Sequence, residues 1–161
     1  MMTSHSQSTP SQPAYRGQKL RAFAFALLAK REYSKTELYQ KLMLYAADAD
    51  EVKLLLEELS QANYQSDTRM AGMLVRQEIR QGRGPRRIQQ RLQKHQIDHD
   101  LAQPDLAEID WFEQALQLKI KKFGENIAQD QKQLAKQIRF LQYRGYAIDI
   151  IMKVVKYKEN D

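Results

Sequence analysis

Residues 66–97 read SDTRMAGMLVRQEIRQGRGPRRIQQRLQKHQI, and the spacing of apolar and basic side chains in this stretch decides the fold class. After Asp67, the residues Met70, Ala71, Leu74 and Val75 recur one helical turn apart, which predicts a helix with one buried side. Gly82 and Gly84 end it, and Pro85 stands where the first turn of a second helix tolerates a residue without an N–H. Ile88 and Leu92 then mark the buried side of that second helix. Arg69, Arg76, Arg80 and Arg83 are spaced so that, at 100° per residue, they project within a stripe about 60° wide, opposite Ala71 and Leu74. In the second helix Arg87, Arg91 and Lys94 share one side, and the turn GRGPRR at 82–87 adds Arg83 and Arg86. Two basic ridges are therefore expected to meet at a glycine-containing corner, where arginine suits bidentate pairing with phosphate or carboxylate.

The same pattern extends to both sides. Upstream, Leu20, Phe23, Ala24, Leu27 and Leu28 form one apolar stripe running to about Arg31. Ser34 with Glu37 reads as a capping box ahead of Leu38 and Leu42, and Asp48 precedes a helix with Val52, Leu55, Leu56 and Leu59 inward. Downstream, Ile97, Asp98 and Pro104 predict a short or irregular third helix. Phe112, Ala115, Leu116, Ile120 and Phe123 then form one stripe, Leu134, Ile138 and Leu141 another, and Ile150, Ile151, Val154 and Val155 the last. LQKHQIDHDL at 92–101 and LQYRGYAIDI at 141–150 match at a constant offset of 49 residues, so that Leu92, Gln93, Ile97 and Asp100 recur as Leu141, Gln142, Tyr146 and Asp149. Three short helices cannot close a core alone, whereas stacked units can. The expected fold is all-α: an elongated, curved array of three tandem three-helix, helix-turn-helix-like repeats over 17–65, 66–105 and 106–161. Residues 1–16, rich in Ser, Gln, Thr and Pro, read as a flexible tail.

Composition agrees. The 161 residues include only six Gly and four Pro, which argues against an all-β sandwich, and no Cys, which excludes disulfides, a thiol nucleophile and cysteine-ligated metal. The opening MMTSHSQSTPSQPAY lacks a basic segment followed by an apolar core, and no apolar run approaches the roughly 20 residues that span a bilayer. A soluble cytoplasmic monomer is expected. The net charge of +6 is unevenly placed: residues 67–95 hold eight Lys/Arg against two Asp/Glu, whereas 96–112 hold five acids and no Lys/Arg. Such focusing points to a polyanion or an acidic protein surface as partner. The third unit repeats the basic theme more weakly through Lys132, Lys136, Arg139 and Arg144.

Catalytic patterns are poor. His95 and His99 have the i, i+4 spacing of a metal pair, but Ile97 and Asp98 break the helix between them and no third ligand is evident. There is no Walker loop, dinucleotide fingerprint or Gly-x-Ser-x-Gly turn. Asp48, Asp50 and Glu51, and the pair Glu57 and Glu58, fit helix capping and an exposed helix face. Trp111 and Phe112 read as core, and Tyr39, Tyr45, Tyr64, Tyr143 and Tyr146 as scattered rather than as a stacking platform. No catalytic, metal or cofactor site is assigned, and an enzyme is not expected.

The run 66–97 resembles the central repeat of the RecX family, bacterial regulators of the RecA recombinase. LLAKREYSKTELYQKL resembles the family's first repeat and FLQYRGYAIDIIMKVV its last, so the resemblance spans about 18–157. It rests on Asp67, Arg69, Ala71, Arg76, Gly84, Arg87, Ile88 and Leu92. Met70 stands where the family usually has phenylalanine, Gln96 replaces a frequent glycine, and ANYQSD at 62–67 lacks the usual glycine. The resemblance implies a non-enzymatic protein that lodges in the groove of the RecA filament on single-stranded DNA and restrains strand exchange, ATP hydrolysis and the cleavage the filament promotes. The residues expected to contact the filament or phosphate, on single- or double-stranded DNA, are Arg69, Arg76, Arg80, Arg83, Arg86, Arg87, Arg91, Lys94, Lys136, Arg139 and Arg144. The alternative is a helix-turn-helix-like DNA-binding transcriptional regulator, which sequence-specific duplex binding would distinguish.

Overall fold

The computed structural model describes residues 14–159, and among them every regular element is helical. The chain divides into two compact units, one ending at Ser66 and the other beginning at Asp67. In the first, α1 (Gly17–Lys30), α2 (Lys35–Met43) and α3 (Ala49–Gln61) enclose a core of Leu20, Ala24, Leu27, Leu38, Leu42, Val52, Leu56 and Leu59. The expected capping box is present: Ser34 Oγ accepts from the Glu37 amide at 3.1 Å, and the Glu37 carboxylate accepts from the Ser34 amide at 3.1 Å. Glu57 and Glu58 pair across the unit with Lys35 and Arg21, and the Lys35 ammonium holds the Glu57 carboxyl below its usual range. Those acids are surface ion-pair partners.

Most of the expected tail, residues 1–13, lies outside the described residues. Tyr15 within it is anchored: its amide donates to the Tyr45 carbonyl at 2.8 Å, and its ring packs against Phe23 and Tyr45. An aromatic side chain can recover its ordering entropy by burial, which the polar composition around it conceals.

The second unit holds two three-helix repeats. α4 (Asp67–Arg80) and α5 (Pro85–Lys94) are followed by a 3₁₀ turn at His99–Ala102 and a five-residue α6 (Gln103–Ala107), the short and irregular third element foreseen around Pro104. α7 (Trp111–Phe123), α8 (Gln131–Tyr143) and α9 (Ile148–Val155) complete it. Met70, Leu74, Val75, Ile88 and Leu92 form one buried cluster, and Ala115, Leu141, Ile151, Val154 and Val155 another. Trp111, half-buried, packs against both clusters and so joins them. Lys119 is only 1% exposed; its Nζ donates to the carbonyls of Gly124 and Asn126, both at 2.9 Å, pinning the loop after α7. Burial lowers its pKa.

The 49-residue correspondence has a backbone basis. Gln96 and Gly145 both have positive φ (58° and 96°), and in each case the next amide closes a bond five residues back, Ile97 to Leu92 and Tyr146 to Leu141. Asn63 (φ 62°) ends α3 in the same way. This left-handed helix stop favours glycine, and Gln96 bears its steric cost at an exposed position. Gln96→Gly is expected to raise stability by about 1 kcal/mol, read as a higher urea midpoint at unchanged slope.

Candidate functional site

The basic corner is built around an acid. Glu78 follows Leu74 by four residues and Val75 by three, so the period of α4 carries its carboxylate onto the buried side, where it is 2% exposed. A lone charge there would be costly. Arg83 Nη1 donates to both Glu78 oxygens, at 3.0 and 3.1 Å, and Arg91 Nη1 to Oε1 at 3.2 Å. Arg91 Nε in turn donates to His95 Nε2 at 3.3 Å. Two arginines read from the sequence as outward ridge residues are therefore directed at an internal carboxylate. Arg83 also leaves the projected stripe, because α4 ends at Arg80 and Gly82 (φ 74°) redirects the chain before it.

The turn after α4 docks directly on the turn after α8. The Gly84 amide donates to the Arg144 carbonyl at 2.7 Å, and the Arg86 amide to the Gly145 carbonyl at 3.0 Å. A Cβ on Gly84 would lie 2.7 Å from the Gly145 oxygen, and one on Gly145 would lie 2.8 Å from the Arg87 nitrogen. Both main chains must stay bare for the contact to form. Arg144 Nη1 donates to the Gln81 carbonyl at 2.8 Å, Arg87 Nη1 to the Tyr143 carbonyl at 3.4 Å, and the Tyr146 hydroxyl to the Gly82 carbonyl at 3.5 Å. Burial pushes the Tyr146 pKa up to about 12, against the opposing pull of the Arg144 charge, so this hydroxyl keeps its proton.

This docking gathers Arg80, Arg86, Arg87 and Arg144 at one corner, with Arg80 and Arg86 exposed. An open cleft of about 550 Å³ runs beside it, lined by Arg80, Arg144, Lys121, Lys122 and Phe140 among others, and among the described residues no carboxylate lines it. The run KIKK at 119–122 does not by itself place Lys121 and Lys122 in this cleft, because its approach to the turn at 79–82 is a nonlocal packing event. Arg69, Arg76, Lys94, Lys136 and Arg139 are exposed on α4, α5 and α8 and do not line this cleft. The Arg76 guanidinium and the Asp105 carboxylate both approach the bare Cα of Gly72. His99 faces Gln103 at 2.8 Å while His95 faces Arg91, and among the described residues no group of three or more His, Asp or Glu could hold a metal.

Residues 66–103 match the model of the RecX second three-helix domain and residues 108–155 that of the RecX third three-helix domain. A regulatory protein RecX from Acinetobacter baylyi is 49% identical over 161 residues, covering 100% of both chains. The chain belongs to the RecX family. A regulatory protein RecX from Vibrio campbellii is 39% identical over 140 residues, 86% of this chain and 90% of that protein. These RecX relatives are named as regulatory proteins and not as enzymes. A crystal structure of RecX from Lactobacillus salivarius superposes with a TM-score of 0.74 at 20% identity, covering 86% of this chain and 93% of that one, which establishes a shared fold. A second RecX crystal structure has a TM-score of 0.67 at 18% identity. The departures from the RecX pattern are local: Met70 is buried in the α4–α5 cluster, and Gln96 takes up the left-handed stop.

Two outcomes follow from this geometry. Glu78→Ala leaves Arg83 and Arg91 crowded around an empty site and is expected to cost about 2–3 kcal/mol, moderated by the partial exposure of both arginines, as measured by urea unfolding. Tyr146 has a folded pKa above its ordinary value of 10.0, so the stability it contributes is complete below pH 10 and is lost as pH rises toward 12. Tyr146→Phe should flatten that alkaline decline in a pH series of thermal midpoints.

Proposed function

We propose that this protein regulates the RecA recombinase by binding its filament on single-stranded DNA and restraining ATP hydrolysis, strand exchange and coprotease activity. The observation that carries the reading is full-length identity of 49% to a regulatory protein RecX, joined to a corner of cations on a bonded backbone frame. Arg80, Arg86, Arg87 and Arg144 are the contacts, met by acidic filament surface or DNA phosphate, with Arg69, Arg76, Lys94, Lys136 and Arg139 as flanking charges. Arg83 and Arg91 act chiefly from within, by holding the corner on Glu78. The protein works as a cytoplasmic monomer in the control of DNA repair and the SOS response.

The alternative, a sequence-specific helix-turn-helix regulator, would lead the N-terminus of a helix such as α5 into a major groove. That end of α5 is occupied by the docked turn, through the Gly84 and Arg86 amides, which weighs against it. The test is to add the purified chain to RecA on single-stranded DNA and follow ATP hydrolysis. The parent protein inhibits at stoichiometric amounts, and the variant Arg86→Glu with Arg87→Glu needs about tenfold more protein for the same inhibition, near 1.4 kcal/mol. Absence of inhibition by the parent would sink the reading, and equal inhibition by the variant would sink the site.

A further inference from the structure

We propose that the cleft beside the docked turns takes the backbone of single-stranded nucleic acid, with a base stacked on Tyr143. The cleft presents Arg80, Lys121, Lys122 and Arg144, and among the described residues none of these four is ion-paired with a carboxylate. Two of them are gathered on one ring: the Arg144 guanidinium lies 5.3 Å and the Lys122 ammonium 6.0 Å from the Phe140 centroid. The negative end of the α7 dipole accounts for cations at Lys121 and Lys122, which occupy its last turn. Arg80 in the last turn of α4 and Arg144 at the C-terminal cap of α8 likewise complement the dipoles of their own helices, and the cleft brings the cations of the three helix ends together. Gathered from three segments, with no carboxylate of a described residue in the lining, they form a positive site suited to an anion.

A second hollow, of about 410 Å³, adjoins the first and shares Phe140 and Arg144 with it. Tyr143 lines this hollow and is 75% exposed, while the Arg87 guanidinium stands 5.3 Å from its ring centroid. The tyrosines appear scattered along the sequence, yet in the structure this one lines a hollow with Arg83, Arg87 and Arg144. Phosphates joined to planar bases match neighbouring cations and an exposed ring. An acidic peptide would satisfy the charges and leave the ring unused. A duplex keeps its bases paired and stacked inside, where Tyr143 cannot reach them.

The inference deepens the proposed function and rests on it for taking nucleic acid as a partner of the basic corner, but its test contains no recombinase, so its failure leaves the filament reading to be judged separately. The full-length protein is titrated into a fluorescein-labelled thymidine oligonucleotide and into a duplex of equal length, and anisotropy is followed over a range of salt. Tyr143→Ala is expected to weaken single-strand binding about tenfold with no change in salt slope, and to leave duplex binding as it was. Lys121→Ala with Lys122→Ala is expected to reduce the magnitude of the single-strand salt slope by about 1.4. Lys53→Ala, in the first unit, serves as the charge control, and far-UV circular dichroism establishes that each variant is folded. Single-strand binding unaffected by the two lysines, or affected equally by Lys53→Ala, overturns the phosphate assignment. An unchanged affinity of folded Tyr143→Ala, or an equal loss on duplex, overturns the stacking assignment.

Discussion

Where the turn after α4 meets the turn after α8, two main chains approach with no side chain between them, and the placement of the basic corner depends on that contact. The amides of Gly84 and Arg86 bond to successive carbonyls, those of Arg144 and Gly145. Gly145 is required twice over, by its positive φ and by the Arg87 backbone that a Cβ would strike. Because the bonds are to backbone, the start of α5 and the end of α8 are held in one register, and the arginines they carry are positioned before any partner arrives. A site whose frame is already ordered spends less free energy on ordering at the moment of binding.

Glu78 divides the arginines by use. In a count along the chain Arg83 and Arg91 are indistinguishable from Arg86 and Arg87. In the structure the first two are held by a buried carboxylate, whereas Arg86 is exposed and Arg87 lies over Tyr143. Lys119 makes the same point in α7: it adds to the basicity of the C-terminal segment, yet its ammonium is bonded to the carbonyls of Gly124 and Asn126. Regional charge therefore does not separate exposed cations from those bonded within the fold.

What was legible in the sequence was local or periodic. The Ser34–Glu37 box, the Pro85 start and the interruption near Pro104 each depend on a few neighbouring residues, and each appears in the structure as read. The 49-residue correspondence also carried real geometry, since Gln96 and Gly145 adopt the same helix stop with different side chains. Illegible were the features that need two distant segments at once. Nothing around Gly84 reveals that Gly145 is its neighbour, and nothing in KIKK reveals that Lys121 and Lys122 face Arg80. The burial of Glu78 is legible in the α4 period, which places it beside Leu74 and Val75 and opposite the arginine stripe.

The acidic stretch at 96–112 adjoins the basic one and would be expected to neutralise it if the two sets of charges met. Two of the acids are engaged elsewhere, and the one that meets the basic stretch does so away from the cleft. Asp98 accepts from the Asp100 amide at 2.9 Å and Asp110 from the Glu113 amide at 3.0 Å, so two of the five acids cap helix starts, where the local dipole favours a negative charge. Asp105 lies near Arg76 across Gly72, away from the cleft, and none of the five lines it. The positive potential at the corner consequently stands. At physiological ionic strength such a potential is screened over about 8 Å, so it is felt only at contact range.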